Sequence, residues 1–263
     1  MIGQSAGGVL SITGEPDGKP CKPGVTLADT GTGMLMAITI LGALYRQQAT
    51  GEGEHLQLAM QDAMTQYSRL AYAYRDLNGK AAPRAGPRSF SPGNAPNGIF
   101  PCKPGGKNDY VFIFTTRAGN RHWERLCNLI GRPELIDDPR FLGPGERADN
   151  EEALDAILAE FTKQYTKREA MKLIGECGVP CGAVLDVSEL YDDEDLNKRG
   201  IFQNMQHPER GEYKMPAWPV KVGNAHLPVP AAPLLGEHVE SVLSEWLDMS
   251  PEEVEKLKNS GAV

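Results

Sequence analysis

A helix that is apolar on nearly every side is the feature that most constrains this chain. It begins near Asp29 or Thr30, either of which suits an N-cap, and runs to about Gln48. Apolar side chains fall all round that stretch, so protein is expected to cover both of its faces. Its most apolar run, Met34–Tyr45, is only about twelve residues long and includes Thr39 and Gly42. A bilayer needs about 20 apolar residues, so the run reads as a buried core helix. Ala49-Thr50-Gly51-Glu52-Gly53 ends it, with glycine supplying left-handed C-cap geometry.

Before that helix, residues 1–12 read as a short helix or turn rich in small residues, and 16–24 as turns. After it, Glu54–Ala59 alternates, with Leu56 and Leu58 on one face, which predicts a strand. Met60–Leu77 carries helical periodicity through Met64, Tyr67, Leu70, Ala71 and Tyr74, and Asn78-Gly79 stops it. Residues 79–98 then hold four prolines and four glycines in twenty positions. Loops of that length inside a compact chain are usually functional or flexible, and this one is the expected domain crossing.

Beyond the loop, Ile99–Lys103 and Tyr110–Thr115 read as strands joined at Pro104-Gly105-Gly106. Helices are expected at His122–Ile130, Glu151–Tyr165 and Lys167–Cys177, the second capped by Asp149 or Asn150. Val179–Leu185 reads as a strand and Val187–Leu196 as a short helix. Residues 201–222 give two or three short strands, with turns at Pro208–Gly211 and Met215–Pro219. Two helices close the chain, Ser241–Leu247 and Pro251–Asn259. Ser250 caps the second, with Pro251 at N1 and Glu253 at N3. The pattern is α+β or α/β.

The formal net charge of −8 gives no general attraction for nucleic acid or an anionic membrane, and neither is an expected partner. Five scattered cysteines read as reduced thiols of a cytoplasmic protein. Cys177 and Cys181 form a C-x-x-x-C pair with no second pair at zinc-site spacing, so both read as small buried residues and no metal is expected. No basic and then apolar leader opens the chain.

Isolated residues offer little chemistry. P-loop, nucleophile-elbow, zincin and dinucleotide motifs are all missing. Asp29 reads as an N-cap and Asp62 as an exposed or locally paired helix carboxylate. His207 and His238 sit beside turn residues and read as surface or supporting groups. Arg84 and Arg88, in the Gly/Pro loop, read first as solvated side chains and second as phosphate contacts.

Five segments in chain order carry more. Gln4–Met34 (QSAGGVLSITGEPDGKPCKPGVTLADTGTGM) resembles Q-x-x-x-G-x-x-x-x-T-G-x-x-[DG]-G-x-P followed by G-x-x-x-x-D-x-x-x-G. Ala43–Ala63 (ALYRQQATGEGEHLQLAMQDA) resembles A-L-x-x-R-x-x-T-G-x-G-Q-x-[IV]-x-x-[AS]-x-x-D-A. Pro96–Thr115 is similar to a strand pair, Gly178–Val184 (GVPCGAV) to [IV]-P-x-[AG]-x-V, and Ala232–His238 (APLLGEH) to A-P-x-L-G-[EQ]-H. Together these blocks resemble those of the class III CoA-transferases, and the MQDA and APLLGEH details resemble the formyl-CoA-transferase branch.

The resemblance implies an α/β fold: the remnant of a Rossmann-like large domain plus a smaller mixed α+β domain, normally in an interlocked dimer. It assigns residues 1–78 to the large domain with its linker helix, 79–98 to the crossing loop, 99–200 to the small domain, and 201–263 to a return segment and C-terminal helices. It implies transfer of CoA between carboxylic acids through an aspartyl-CoA thioester, with coenzyme A as substrate and no cofactor. Acyl-CoA and a carboxylic acid are the implied partners.

The family's aspartate lies four residues before Gln4, immediately ahead of Met1. The resemblance therefore places no catalytic residue in this chain. It implies an inactive chain that needs the N-terminal half, truncated or split away, or a second copy. A loop that shields the intermediates would occupy residues 89–98, with Gly93 and Gly98 as its glycines. The family's tetraglycine run is not matched there. Two alternatives accompany this reading: a 2-methylacyl-CoA racemase of the same superfamily, and a non-catalytic obligate partner subunit.

Overall fold

Glycine decides how the first helices meet. In the computed structural model, which describes residues 1–89, 95–115 and 119–263, α1 (Ile2–Ala6) lies against α2 (Leu27–Thr50) and α3 (Met60–Tyr67). A Cβ on Gly3 would stand 3.0 Å from that of Met60, and one on Gly7 would overlap that of Met64. Gly3 and Gly7 are one helical turn apart, as are Met60 and Met64, so the Gly-x-x-x-Gly spacing seats one helix on the other. Gly31 does the same for α2: its Cβ would sit 2.7 Å from the Tyr67 ring, whose hydroxyl donates to the Gly31 carbonyl at 3.2 Å. Val9, Ala28, Ala63 and Met64 are the buried apolar residues of this cluster.

α2 starts two residues earlier than the sequence suggests, with Thr26 as N-cap and Asp29 inside the first turn. It ends at left-handed Gly51, as expected. The expected covering of both faces is not found. Only Ala28 and Gly31 are buried, and Ile38, Leu41 and Tyr45 are 68%, 67% and 78% exposed. The helix is long and apolar enough to cross a membrane by length and composition, with mean hydropathy 1.5 over its most apolar window.

Glu54–Ala59 forms no ladder among the described residues. Its alternation half-buries Leu56 and Leu58, but a strand also needs a neighbour for its N–H and C=O groups. The expected Met60–Leu77 helix breaks at Ser68 into α3 and α4 (Arg69–Asn78).

The second cluster is built on an antiparallel sheet of β1 (Asn97–Pro101), β2 (Tyr110–Phe114) and, after the helices described next, β3 (Cys181–Ala183), in the order β1-β2-β3. Between β2 and β3 come α5 (Arg121–Leu129), α6 (Pro144–Asp149), α7 (Glu151–Thr162) and α8 (Lys167–Glu176). Phe100, Val111, Ile113, Trp123, Leu126, Phe141, Leu154, Leu158 and Ile174 fill the core between sheet and helices. Helix α6 has no apolar stripe and is not visible in the periodicity; Pro144 at its first position starts it. α8 carries a full capping box between Thr166 and Glu169.

Contacts divide the chain into two units, Met1–Val184 and Leu185–Val263. In the second, the expected single helix over Val187–Leu196 is two, α9 (Val187–Tyr191) and α10 (Glu194–Lys198). Asp193 caps the second by accepting from Leu196 N at 2.9 Å. β4 (Phe202–His207) and β5 (Gly211–Pro216) pair antiparallel around the anticipated turn, and β6 (Lys221–Val222) pairs with β7 (Ala225–His226). Lys214 joins the helices to this hairpin, donating to Tyr191 O at 2.7 Å and lying 3.7 Å from the Tyr191 ring centroid. Helices α11 (Val239–Leu247) and α12 (Pro251–Asn259) end the chain, with the Ser250–Glu253 capping box foreseen from sequence.

Candidate functional site

The N-terminal block is built around a buried amide. Gln4, on α1, is 2% exposed, and its Nε2 has no hydrogen-bond partner. Burying such a donor unpaired costs about 1–3 kcal/mol, which points to a group that binds something else. Thr32 Oγ1, on α2, is likewise buried without a partner. After α1 the chain turns through left-handed Gly8 into a short 3-10 turn over Val9–Ile12.

The TGEPDG segment that follows is a braced turn. Thr13 Oγ1 donates to Val9 O at 2.7 Å, and Gly86 N donates to Gly14 O at 2.9 Å. Arg84 donates from Nε to Glu15 O at 3.2 Å and from NH2 to Gly18 O at 2.7 Å. Its guanidinium holds turn carbonyls, and the structure gives it this positioning task where the sequence suggested solvent or phosphate.

Gly98 lies within β1, opposite Ile113. A Cβ there would meet Arg88 Cγ at an ordinary 3.6 Å. Gly93 falls outside the described residues. Arg88 is ion-paired with Glu151 and Asp155 on α7 rather than solvated. Burial pushes the Asp155 carboxyl upward, and the Arg88 charge opposes that. Further along, Thr115 Oγ1 donates to Pro96 O at 3.0 Å.

Arg147, only 1% exposed, donates to Ala95 O at 2.8 Å, Phe141 O at 2.9 Å and Asn120 Oδ1 at 3.1 Å, over the Trp123 ring. Desolvation lowers its affinity for the proton. Nothing in the sequence marks this residue: an arginine in GERAD reads as surface.

The remaining candidates are local supports. Asp29 and Asp62 are exposed, each in the first turn of its helix, where a carboxylate suits the helix dipole. His207 Nδ1 accepts from Glu209 N and Arg210 N at 3.1 and 3.2 Å and closes the β4–β5 turn. In APLLGEH, left-handed Gly236 turns the chain, Glu237 accepts from Leu234 N at 2.6 Å, and His238 is the N-cap of α11. Burial raises the thiols of Cys102 to about 11 and of Cys127 and Cys181 to about 12, and also raises Cys177, so none is a nucleophile near neutral pH. Among the described residues no cluster of His, Cys, Asp and Glu could hold a metal.

The family model for CoA-transferase family III matches residues 1–239. The chain belongs to CoA-transferase family III. The match takes in all five sequence blocks and stops one residue past His238. The family's curated members include a formyl-CoA:oxalate CoA-transferase of Streptomyces coelicolor, 33% identical over 277 residues. One of the same name from Bradyrhizobium sp. is 33% identical over 281. Each alignment takes in the whole chain and 66% or 65% of the relative, so the chain spans just under two thirds of their length. A CAIB/BAIF family protein from Brucella suis has a solved structure that overlays with a TM-score of 0.73 at 29% identity, covering 92% of this chain and 61% of that one. A Mycobacterium tuberculosis structure shares the fold at TM-score 0.70 and 22% identity, covering 90% of this chain and 61% of its own. Gln4, with its unpaired amide, lies within the matched residues.

Proposed function

We propose that this chain is the greater part of an acyl-CoA:carboxylate CoA-transferase of the formyl-CoA-transferase type. The observation that carries the proposal is the family match over 1–239, with formyl-CoA:oxalate CoA-transferases 33% identical over the whole chain. Gln4 adds to it: a buried, unpaired amide four residues from where the resemblance puts the nucleophile.

In the proposed reaction an aspartate oxygen attacks the thioester carbonyl and expels CoA thiolate, leaving a mixed anhydride. The thiolate attacks the aspartyl carbonyl and releases the donor acid, forming aspartyl-CoA. The acceptor carboxylate attacks that thioester, freeing the thiolate and making a second anhydride. Attack by the thiolate on the acceptor acyl carbon yields the new acyl-CoA and restores the aspartate. A carboxylate is a weak nucleophile, so it needs a dry, oriented site and donors for the oxyanion. Gln4 Nε2 is the donor we assign to that neighbourhood.

The aspartate itself would come from a segment outside these residues, and the chain alone would be inactive. Residues 1–78 and 201–263 would belong to a Rossmann-like large domain and 99–200 to the small one, joined by the crossing loop at 79–98. The shielding loop would bring Gly93 and Gly98 to the intermediates. Coenzyme A is the substrate, no cofactor takes part, and the site is cytoplasmic. An interlocked second copy would cover the apolar faces of α2, which the exposure of Ile38, Leu41 and Tyr45 supports. A racemase of the same superfamily would share this framework.

The test is CoA transfer from formyl-CoA to oxalate by the chain alone and after addition of the N-terminal third of the Streptomyces coelicolor relative. Transfer only in the mixture, abolished by Asp→Asn in the added segment, is expected. Transfer by the chain alone would overturn the placement of the aspartate outside these residues, and epimerisation of a 2-methylacyl-CoA without transfer would overturn the transferase reading.

A further inference from the structure

A cavity opens beside the QSAGG segment. It holds about 170 Å³ and is lined by Gly8, Ser11, Ile12, Ser68, Ala71, Tyr72, Arg75, Ala81 and Ala82. Positions 68, 71, 72 and 75 repeat at helical spacing, so the start and one face of α4 make one wall. The left-handed turn at Gly8 brings up the other. Drug-sized ligands occupy about 300–1,000 Å³, so this space takes a molecule of only a few heavy atoms.

Four polar side chains stand among the aliphatic ones, and one of them, Ser11, already donates from Oγ to Gly8 O at 2.7 Å. Ser68 is the N-cap of α4, but its hydroxyl makes no capping bond; it is 6% exposed and Oγ has no partner. A serine at that position ordinarily caps its own helix. Arg75 makes no side-chain hydrogen bond or ion pair among the described residues, although Asp76 adjoins it. Tyr72, half exposed, brings its hydroxyl near Gly8: a Cβ on that glycine would lie 3.8 Å away.

We propose that this cavity binds a short aliphatic monocarboxylate. A guanidinium presents a planar fork that fits the two oxygens of a carboxylate. One unpaired cation balances one negative charge, and the Ser68 hydroxyl completes the carboxylate's hydrogen bonds. Ile12, Ala71, Ala81 and Ala82 give an alkyl tail apolar contact. A phosphate dianion would bring a second negative charge with no second cation in the lining to meet it.

Amide chemical shifts of the whole chain, titrated with sodium propionate, test this. Saturable shifts are expected at Gly8, Ser68, Tyr72 and Arg75, and none with sodium chloride at equal ionic strength. Arg75→Gln should weaken binding about tenfold or more by removing the charge-assisted fork. Ser68→Ala should weaken it about threefold without lowering the melting temperature, because it removes a buried hydroxyl that the fold leaves unpaired; a purely structural serine would not separate these two readouts. Absence of saturable shifts, unchanged affinity in Arg75→Gln, or tighter binding of inorganic phosphate at the same resonances would each overturn the assignment. No readout depends on turnover, so failure of the transferase reading leaves this test intact.

Discussion

Single residues account for the closest packing in the chain. Gly7 faces Met64 with no room for a methyl group, so Gly7→Ala should cost about 1–3 kcal/mol in urea unfolding as the helices are forced apart. Gly98 has ordinary space before Arg88, and Gly98→Ala should stay within about 0.5 kcal/mol of wild type. Equal losses at the two sites would contradict the seating of α1 on α3. Arg147 serves three acceptors from a buried position, and Arg147→Ala should cost about 3 kcal/mol or more by leaving them without donors.

The buried thiols bear on pH. Cys127 is raised from 9.0 to about 12 by burial, so folding favours its protonated form. Its contribution is fully present below pH 9 and is lost as pH climbs from 9 towards 12. Unfolding free energy from urea titration should therefore fall between pH 8 and 10.5, by roughly 2 kcal/mol for this thiol. Cys127→Ala should show a shallower decline than wild type, and a parallel decline would contradict the burial account.

At the level of elements, the exposed face of α2 makes a sharp prediction. Ile38 and Leu41 are 68% and 67% exposed, so Ile38→Glu/Leu41→Glu should leave the urea midpoint within about 0.5 kcal/mol of wild type. The same double variant should reduce self-association in sedimentation velocity. A large loss of stability would mean that the face is packed within the unit.

What the sequence revealed follows from what periodicity measures. The sheet strands, α5, α7, α8 and the Ser250 cap were legible because their apolar spacing or capping residues are local. The Glu54–Ala59 strand failed because alternation reports burial on one side and says nothing about a neighbouring strand. The break at Ser68 was hidden because Met64, Tyr67, Leu70 and Ala71 keep helical spacing across it. At the site, the family blocks were legible as signatures, but their physical work was not. That Gln4 is buried unpaired, that Arg84 braces TGEPDG and that Arg147 reaches Ala95 depend on contacts between distant segments.

Across the whole molecule, family membership covers residues 1–239, including the braced N-terminal block and the APLLGEH turn into α11. We propose that this chain supplies the platform of a CoA-transferase and that the nucleophile lies on another segment. Intact-mass spectrometry of the mixture with the relative's N-terminal segment, quenched during turnover with formyl-CoA, tests that division most directly. A CoA adduct on the added segment, with this chain unmodified, is the predicted result. An adduct on this chain, or transfer with no adduct on either polypeptide, would contradict it.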